Sequence, residues 1–531
     1  MLRINKTQMG LAAALAATLA WNAPAVAATP KDTLIMARDI GDIITFDPAE
    51  AFEFTTGELL TNIYDRLLMH EPDNLQELVG GVAESWEISD GGKTITFKIR
   101  PGLTFHSGNP VTADDVTFSL RRVVKLNKTP VFILSQFGWN ADNVDDLVQT
   151  VDGRTRITVT EDLSPGLVLN ALSATVGSVL DEKLVREHEQ DGDLGYEWLK
   201  SNSAASGPYR LITWKANELV TLEAFPDYRH GAPATRRVIM RHVAESSAQR
   251  LLLEKGDIDI ARGLTPDQVQ GLANNPDVAV DDNPKSDIVY MAVNAEHPVL
   301  GKPEVWQALR HLADYSGMTS SFLNGQFKVH QSFWPSGLWA ALDDNPFALD
   351  VDKARRILAD AGVGGLEITL DTLNLEPYPR IAQSLQATMR QAGIEMDILT
   401  ADGKTLWPKY RARRHDIILA RWAPDYLDPH SNADSFAHNP DNRAEAKLTG
   451  KLAWRNAWAD DDVNRQTEMA RNALDLDERK DMYLQLQGMI QDRSPFVVMF
   501  QRNEQTARRS NVRGFVSGPN FDLVFYRNTT K

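Results

Sequence analysis

The sequence predicts a mixed α/β fold with a partly parallel sheet and more than one hydrophobic core. Three observations carry this. Strand-like and helix-like periodicities alternate between residues 350 and 400. A β-hairpin signal lies near residue 90. The chain has 531 residues, 43% of them hydrophobic, which is more than a single core organises, so two or three domains are expected.

Taken in order, the chain opens with Arg3 and Lys6, an apolar Ala-rich run over residues 9–21, and Ala25-Val26-Ala27 as a small-x-small cleavage site. This is the pattern of a secretory signal peptide over residues 1–27, and the run is too short to span a bilayer. Residues 86–88 and the alternating Ile95, Phe97 and Ile99 flank the turn Ser89-Asp90-Gly91-Gly92 as a hairpin. Thr112 and Asp115 form a capping box for a helix carrying Val116 and Leu120. A second helix runs from its cap Asp350, with Ala354, Ile357, Leu358 and Ala361 on one face, to a stop at Gly362. A strand with Leu366, Ile368 and Leu370 follows, then a helix with Ile381, Leu385 and Met389 ending at Gly393, then a strand over 394–398. This β-α-β succession implies parallel strands with helices on the sheet faces. Residues 439–450 are polar and loop-like, and no internal repeat is visible.

A further buried strand over 417–420 leads into WAPDYLDPHS, residues 422–431. Ligands on such sheets sit at the carboxyl ends of strands. An acid flanked by aromatics there can hold a cation or an amine, because the rings exclude water and the carboxylate supplies charge. The same residues also suit a rigid surface turn, since Pro and Asp are turn formers.

The formal net charge is −16, and losing residues 1–27 leaves the balance acidic. That argues against nucleic acid or an anionic membrane as partner. There is no cysteine, hence no disulfide, thiol nucleophile or cysteine-borne lipid anchor. Gly91-Gly92-Lys93-Thr94 resembles the end of a phosphate loop, but Glu87 stands where the first glycine is required. No Gly-x-Ser-x-Gly elbow occurs, and the 11 histidines show no zinc spacing. His430 and His438 lie in the Asp-rich region and could reach a metal; solvated or capping roles are the commoner fate of such residues.

The stretch Asn62-Ile63-Tyr64-Asp65-Arg66-Leu67-Leu68, then VAESWEISDGGKTITFKIRPGLTFHSGNPVTADDVTFSL over 82–120, resembles the signature of extracellular solute-binding proteins of the peptide/opine/nickel class. These serve ATP-driven (ABC) importers. Ser206-Gly207-Pro208-Tyr209, ALRHLADYSGM over 308–318, VDKARRILADAG and the WAPDYLDP loop follow in matching order. The resemblance implies a two-lobed periplasmic binding protein fold with two crossover segments. Residues 28–285 would form the first lobe, with an extra subdomain over about 68–200. Residues 286–500 would form the second lobe, and 501–531 would return to the first. It also implies an inner-membrane permease and ATPase as partners, a monomer in the periplasm, no cofactor and no catalysis.

In peptide-binding members the acid of the Trp-x-x-Asp-Tyr stretch pairs with the ligand's α-amine. The resemblance carries that role to Asp425, with Trp422 and Tyr426 as walls and Asp428-Pro429 as structure. Dipeptide-specific members place an Arg before a Pro-Tyr pair to bind the ligand carboxylate. Here Glu376 precedes Pro377-Tyr378. That implies a free dipeptide carboxylate is not read there, and leaves a longer peptide, a conjugated amino acid or a cationic solute. The candidate contacts are Asp425, Trp422, Tyr426, Tyr378, Glu376, Ser206 and Gly207. An opine, an oligosaccharide or chelated nickel is the alternative cargo: nickel-binding members carry a loop similar to 422–429 with a downstream His, here His438, although Asp425 argues against it. A periplasmic hydrolase is a third class, against which the failed motif searches argue.

Overall fold

The computed structural model describes residues 29–71 and 74–531; the expected signal peptide lies outside them. Among these residues, eleven strands form one large sheet. Its order is Ile394–Ala401, Leu366–Leu373, Ile417–Trp422, Val278–Val293, Phe496–Arg509, Ile260–Ala261, Thr33–Arg38, Arg237–His242, Leu219–Ala224, Tyr209–Lys215, with Phe327–Val329 also pairing to Phe496–Arg509. The expected β-α-β unit is present. Leu366–Leu373 runs parallel both to Ile394–Ala401 and to Ile417–Trp422. Its two helices are Val351–Asp360, capped by Asp350, and Tyr378–Gln391, which buries Ile381, Leu385 and Met389.

Two long strands tie the sheet together. Val278–Val293 and Phe496–Arg509 pair antiparallel along nearly their whole length. Residues 285–293 are buried throughout, whereas 278–284 are not. The apolar run Ile288–Val293 is explained by this: a strand buried on both faces has no polar side to show. The pairing loses register between Pro284 and Ile288. On one side of that break a core runs from Ile288 to Phe500. On the other, residues such as Leu34, Met240 and Ile260 pack with Val512, Val524 and Tyr526. A separate core, running from Ala49 to Val179, belongs to a four-stranded sheet. That sheet contains the expected hairpin, Ala83–Ser89 with Thr94–Ile99, turned at Gly91 in the left-handed region that glycine tolerates. The helix Ala113–Leu126 covers it, opened by the Thr112–Asp115 capping box.

Strand ends run beyond expectation: the strand expected over 394–398 continues to Ala401. The strand expected to end at Ala420 continues to Trp422, because Arg421 and Trp422 pair with Val289 and Ile288 of the long strand.

A buried charge network holds the junction of these parts. Arg262 donates to Glu58 at 2.5 Å and to Glu504 at 2.9 Å. Glu58 also accepts from Arg38 and from the Tyr526 hydroxyl. Glu504 accepts from Ser517 and lies 3.2 Å from Lys285 Nζ, which donates to the Gly518 carbonyl. Burial opposes ionisation of Glu504, but Arg262, Lys285 and Arg502 hold its carboxyl well below the usual range. Removing one member strands the others in a dry site. Glu504→Ala is therefore expected to destabilise the fold by about 3–5 kcal/mol in denaturant unfolding; a loss under about 1 kcal/mol would show the network to be dispensable.

Candidate functional site

The loop after Trp422 is fixed at several points. The Asp425 amide donates to Ser431 Oγ at 2.8 Å, and Asn520 Nδ2 donates to the Pro424 carbonyl at 3.1 Å. Trp422 Nε1 donates to Asn432 Oδ1, and its ring meets Phe436 edge-on. Asp428 accepts both guanidinium nitrogens of Arg479, at 2.8 and 2.7 Å, and the His430 amide at the start of the helix His430–Phe436. Both partners of that pair are buried, so Asp428 is a structural anchor, as its position next to Pro429 suggested. Tyr426 points the other way. Its ring joins the core of the four-stranded sheet, and its hydroxyl donates to Gln136 Oε1 at 3.2 Å. The loop thus grips one core through Asp428 and another through Tyr426.

Asp425 stands between those two anchors. Among the described residues its carboxylate makes no hydrogen bond or ion pair, although it keeps only a partial opening to solvent. Burial, and secondarily the nearby Asp434 carboxylate, push it up to about 7, against the pull of Arg455. Asp434 differs. Burial opposes its ionisation too, but Lys451 and His438 bond it and hold it far below the usual range. Of three acids within ten residues, two have cationic partners and one, Asp425, has none bonded to it among the described residues. A carboxylate left so is costly unless a cation arrives.

The remaining candidates lie in different surroundings. Tyr378 is buried at the start of its helix, within electrostatic reach of Arg421, Asp287 and Arg502. Glu376 is exposed. Ser206 donates to Asp65, which also accepts from Tyr228. It lines a small cavity of about 230 Å³ with Arg100, Asp227 and Arg229. Gly207 is pressed on the backbone of Ile63 and Tyr64: a Cβ there would sit 2.5 Å from the Ile63 oxygen. Its own amide bonds that oxygen, and its carbonyl meets His106. The pair Ser206-Gly207 therefore joins segments of the scaffold. His438 is occupied by Asp434, Lys451 and Glu468, and burial pushes His430 down to about 3. Among the described residues no three His, Asp or Glu side chains gather as a metal site.

Sequence reasoning missed Arg421, Arg502, Asp287, Asp434 and Arg455. Only Arg421 had a local signal, a charge closing an otherwise apolar strand. Asp434 follows Asp425 within ten residues, whereas Asp287, Arg455 and Arg502 come from other segments.

The two acids of the loop should respond oppositely to removal. The native state holds a proton on Asp425 more tightly than the unfolded chain does. It therefore loses stability as pH rises from about 4 to 7. Asp425→Asn is expected to raise ligand-free stability at pH 8 by about 1–2 kcal/mol. Asp428→Asn, which strands Arg479, should lower it by about 3 kcal/mol or more. Thermal unfolding of both variants at pH 5 and 8 checks the contrast, and equal losses would refute it.

Comparison with known proteins adds the following. The model of the bacterial extracellular solute-binding proteins, family 5, middle region, matches residues 77–444. The probable D,D-dipeptide-binding periplasmic protein DdpA of Escherichia coli is 28% identical over 523 residues, 97% of each chain. The periplasmic binding protein DppA from Helicobacter pylori, solved with the peptide STSA, has a TM-score of 0.79 at 23% identity, covering 93% of this chain and 98% of that one. NikZ from Campylobacter jejuni, solved with Ni(L-His), has a TM-score of 0.77 at 20% identity, covering 95% and 100%. The two-lobed fold expected from the motifs is thus the fold of this chain, and the family match spans most of it: the chain belongs to the bacterial extracellular solute-binding proteins of family 5.

Proposed function

We propose that this protein is the periplasmic substrate-capturing component of an ABC importer, and that its cargo is a peptide or peptide-like solute with a free amine. The carrying observation is Asp425, an enclosed carboxylate without a partner at the end of a parallel strand. An ammonium answers such a group, and the relatives named above as peptide binders support the choice. Trp422 and Tyr426 border the anchor in sequence, the first half-buried and the second held by the subdomain core.

The lobes in this reading are residues 29–285 with 501–531, and 286–500. The register break at Pro284–Ile288 is the natural hinge, since lost ladder bonds make bending easier there. A ligand on Asp425 touches a loop tied to both sides, so its binding energy favours closure. The closed form would present both lobe rims to the permease, and the ATPase would drive transfer. No helix among the described residues is long and apolar enough to cross a membrane, so the pore belongs to the partner. The protein in this reading performs no chemistry on its cargo.

Asp425→Ala should cost about 2–5 kcal/mol of binding for any amine-bearing peptide that the wild type takes. The affinity should also depend on pH. The ammonium binds the ionised carboxylate, and a proton competes for it below about 7. Affinity is therefore expected to fall roughly tenfold per pH unit below that point. Above about 8 it should fall again, as the ligand's α-amine deprotonates. Calorimetry between about pH 5 and about 10 tests both; a flat profile, or wild-type affinity in Asp425→Ala, would defeat the anchor. Small-angle scattering should show a smaller radius of gyration with saturating ligand, and identical curves would count against hinge closure.

A further inference from the structure

Glu376 is exposed and cannot read a ligand carboxylate, yet the structure places two under-used guanidiniums nearby. Arg421 closes the strand Ile417–Trp422, and Arg502 lies on the returning strand Phe496–Arg509. Ladder pairing sets Arg421 opposite Val289 and Gln501 opposite Ile288. Asp287, two residues before Val289, thus falls between the two arginines. Their nitrogens approach it only to 3.7 and 3.6 Å, beyond good hydrogen-bond distance.

Neither guanidinium makes a hydrogen bond among the described residues. Each presents five donors, and each side chain remains about one-third exposed, at 33% and 35%. Arg502 also lies 3.7 Å from Glu504, but Arg262 and Ser517 already bond that carboxylate and Lys285 lies beside it. One carboxylate, Asp287, therefore answers two arginines, which leaves a positive surplus. Arg421 is further held over the ring of Phe54, which belongs to the other side of the hinge. Stacking of this kind fixes the plane of a guanidinium and leaves its edge free for an anion. Tyr378, whose hydroxyl makes no hydrogen bond among the described residues, adds a donor beside the pair. The cluster sits where the parallel strands Leu366–Leu373 and Ile417–Trp422 end and the helix Tyr378–Gln391 begins. That is the ligand end of such a sheet.

We propose that Arg421 and Arg502 form a carboxylate-binding subsite, so that the cargo is a short zwitterion carrying a free ammonium and a free carboxylate. The proposal rests on the reading of Asp425 as the amine anchor. Arg421 and Asp425 are four positions apart, at most about 14 Å of extended chain. A peptide of a few residues spans that distance. The anion reader that other family members carry before Pro-Tyr is replaced here from the neighbouring strand.

The test uses the mature protein and a defined set of di- and tripeptides in three forms: free, C-terminally amidated and N-acetylated. Calorimetry is run on the wild type, on Arg421→Gln, on Arg421→Gln with Arg502→Gln, and on Asp425→Asn. Amidation is expected to weaken wild-type binding by roughly tenfold to a hundredfold, as for loss of a charge-assisted pair. The double variant should bind free and amidated forms alike, while Asp425→Asn should still prefer the free acid over the amide. Equal wild-type affinity for acid and amide would overturn the subsite and leave the amine anchor standing. Equal affinity for free and N-acetylated forms would instead remove the anchor and leave the subsite. Binding of none of the three forms would overturn both. If the double variant does not fold, the wild-type comparison and Arg421→Gln decide alone.

Discussion

The fold depends on the buried network of Arg262, Glu58, Glu504, Arg38 and Lys285. Its members come from an N-terminal strand, the helix Phe54–Ile63, the position just after the short strand Ile260–Ala261 and both long strands. Charges of this kind cannot be buried singly. Each is tolerated only while the others are in place, so five distant segments must meet in one register. Tyr526 and Ser517 extend the constraint to the C-terminal return. Such a network contributes specificity of arrangement more than net stability. It stands beside the point where the two long strands lose register, between Pro284 and Ile288.

The same electrostatic logic, inverted, marks the site. Asp428 and Asp434 lie close to Asp425 in sequence and are satisfied, by Arg479 and by Lys451 with His438. Asp425 is enclosed yet unanswered. Arg421, a few residues upstream, and Arg502, on the returning strand, are in the opposite state, with more positive charge than Asp287 balances. Unsatisfied charge of both signs at the ends of these strands is a cost that the ligand-free protein carries, and under the proposed function a ligand of complementary charge would relieve it.

The breadth of structural relatives is consistent with this. Proteins solved with a peptide and with Ni(L-His) share the fold at similar TM-scores. A fold of this kind supplies two surfaces and a hinge; the cargo is chosen by a few polar groups set into them. In the reading proposed here the amine anchor, Asp425, stands on a loop clamped at Asp428 and at Tyr426, so its position is fixed from both sides.

Sequence alone determined the local elements, because their signals are local. The hairpin around Gly91, the Thr112–Asp115 box, the Asp350 cap and the alternation at Leu366, Ile368 and Leu370 all depend on neighbours within a few residues. It also singled out Asp425, since an acid between Trp422 and Tyr426 after an apolar strand is conspicuous at short range. Tertiary structure decided what each charge meets. Nothing near Asp428 in the chain announces Arg479, nothing near Glu58 announces Arg262, and nothing near Arg421 announces Arg502. Whether a carboxylate is satisfied or waiting depends on groups brought in from segments tens or hundreds of residues away. Charge pairing acts through space at a few ångströms, and only the folded chain fixes those distances.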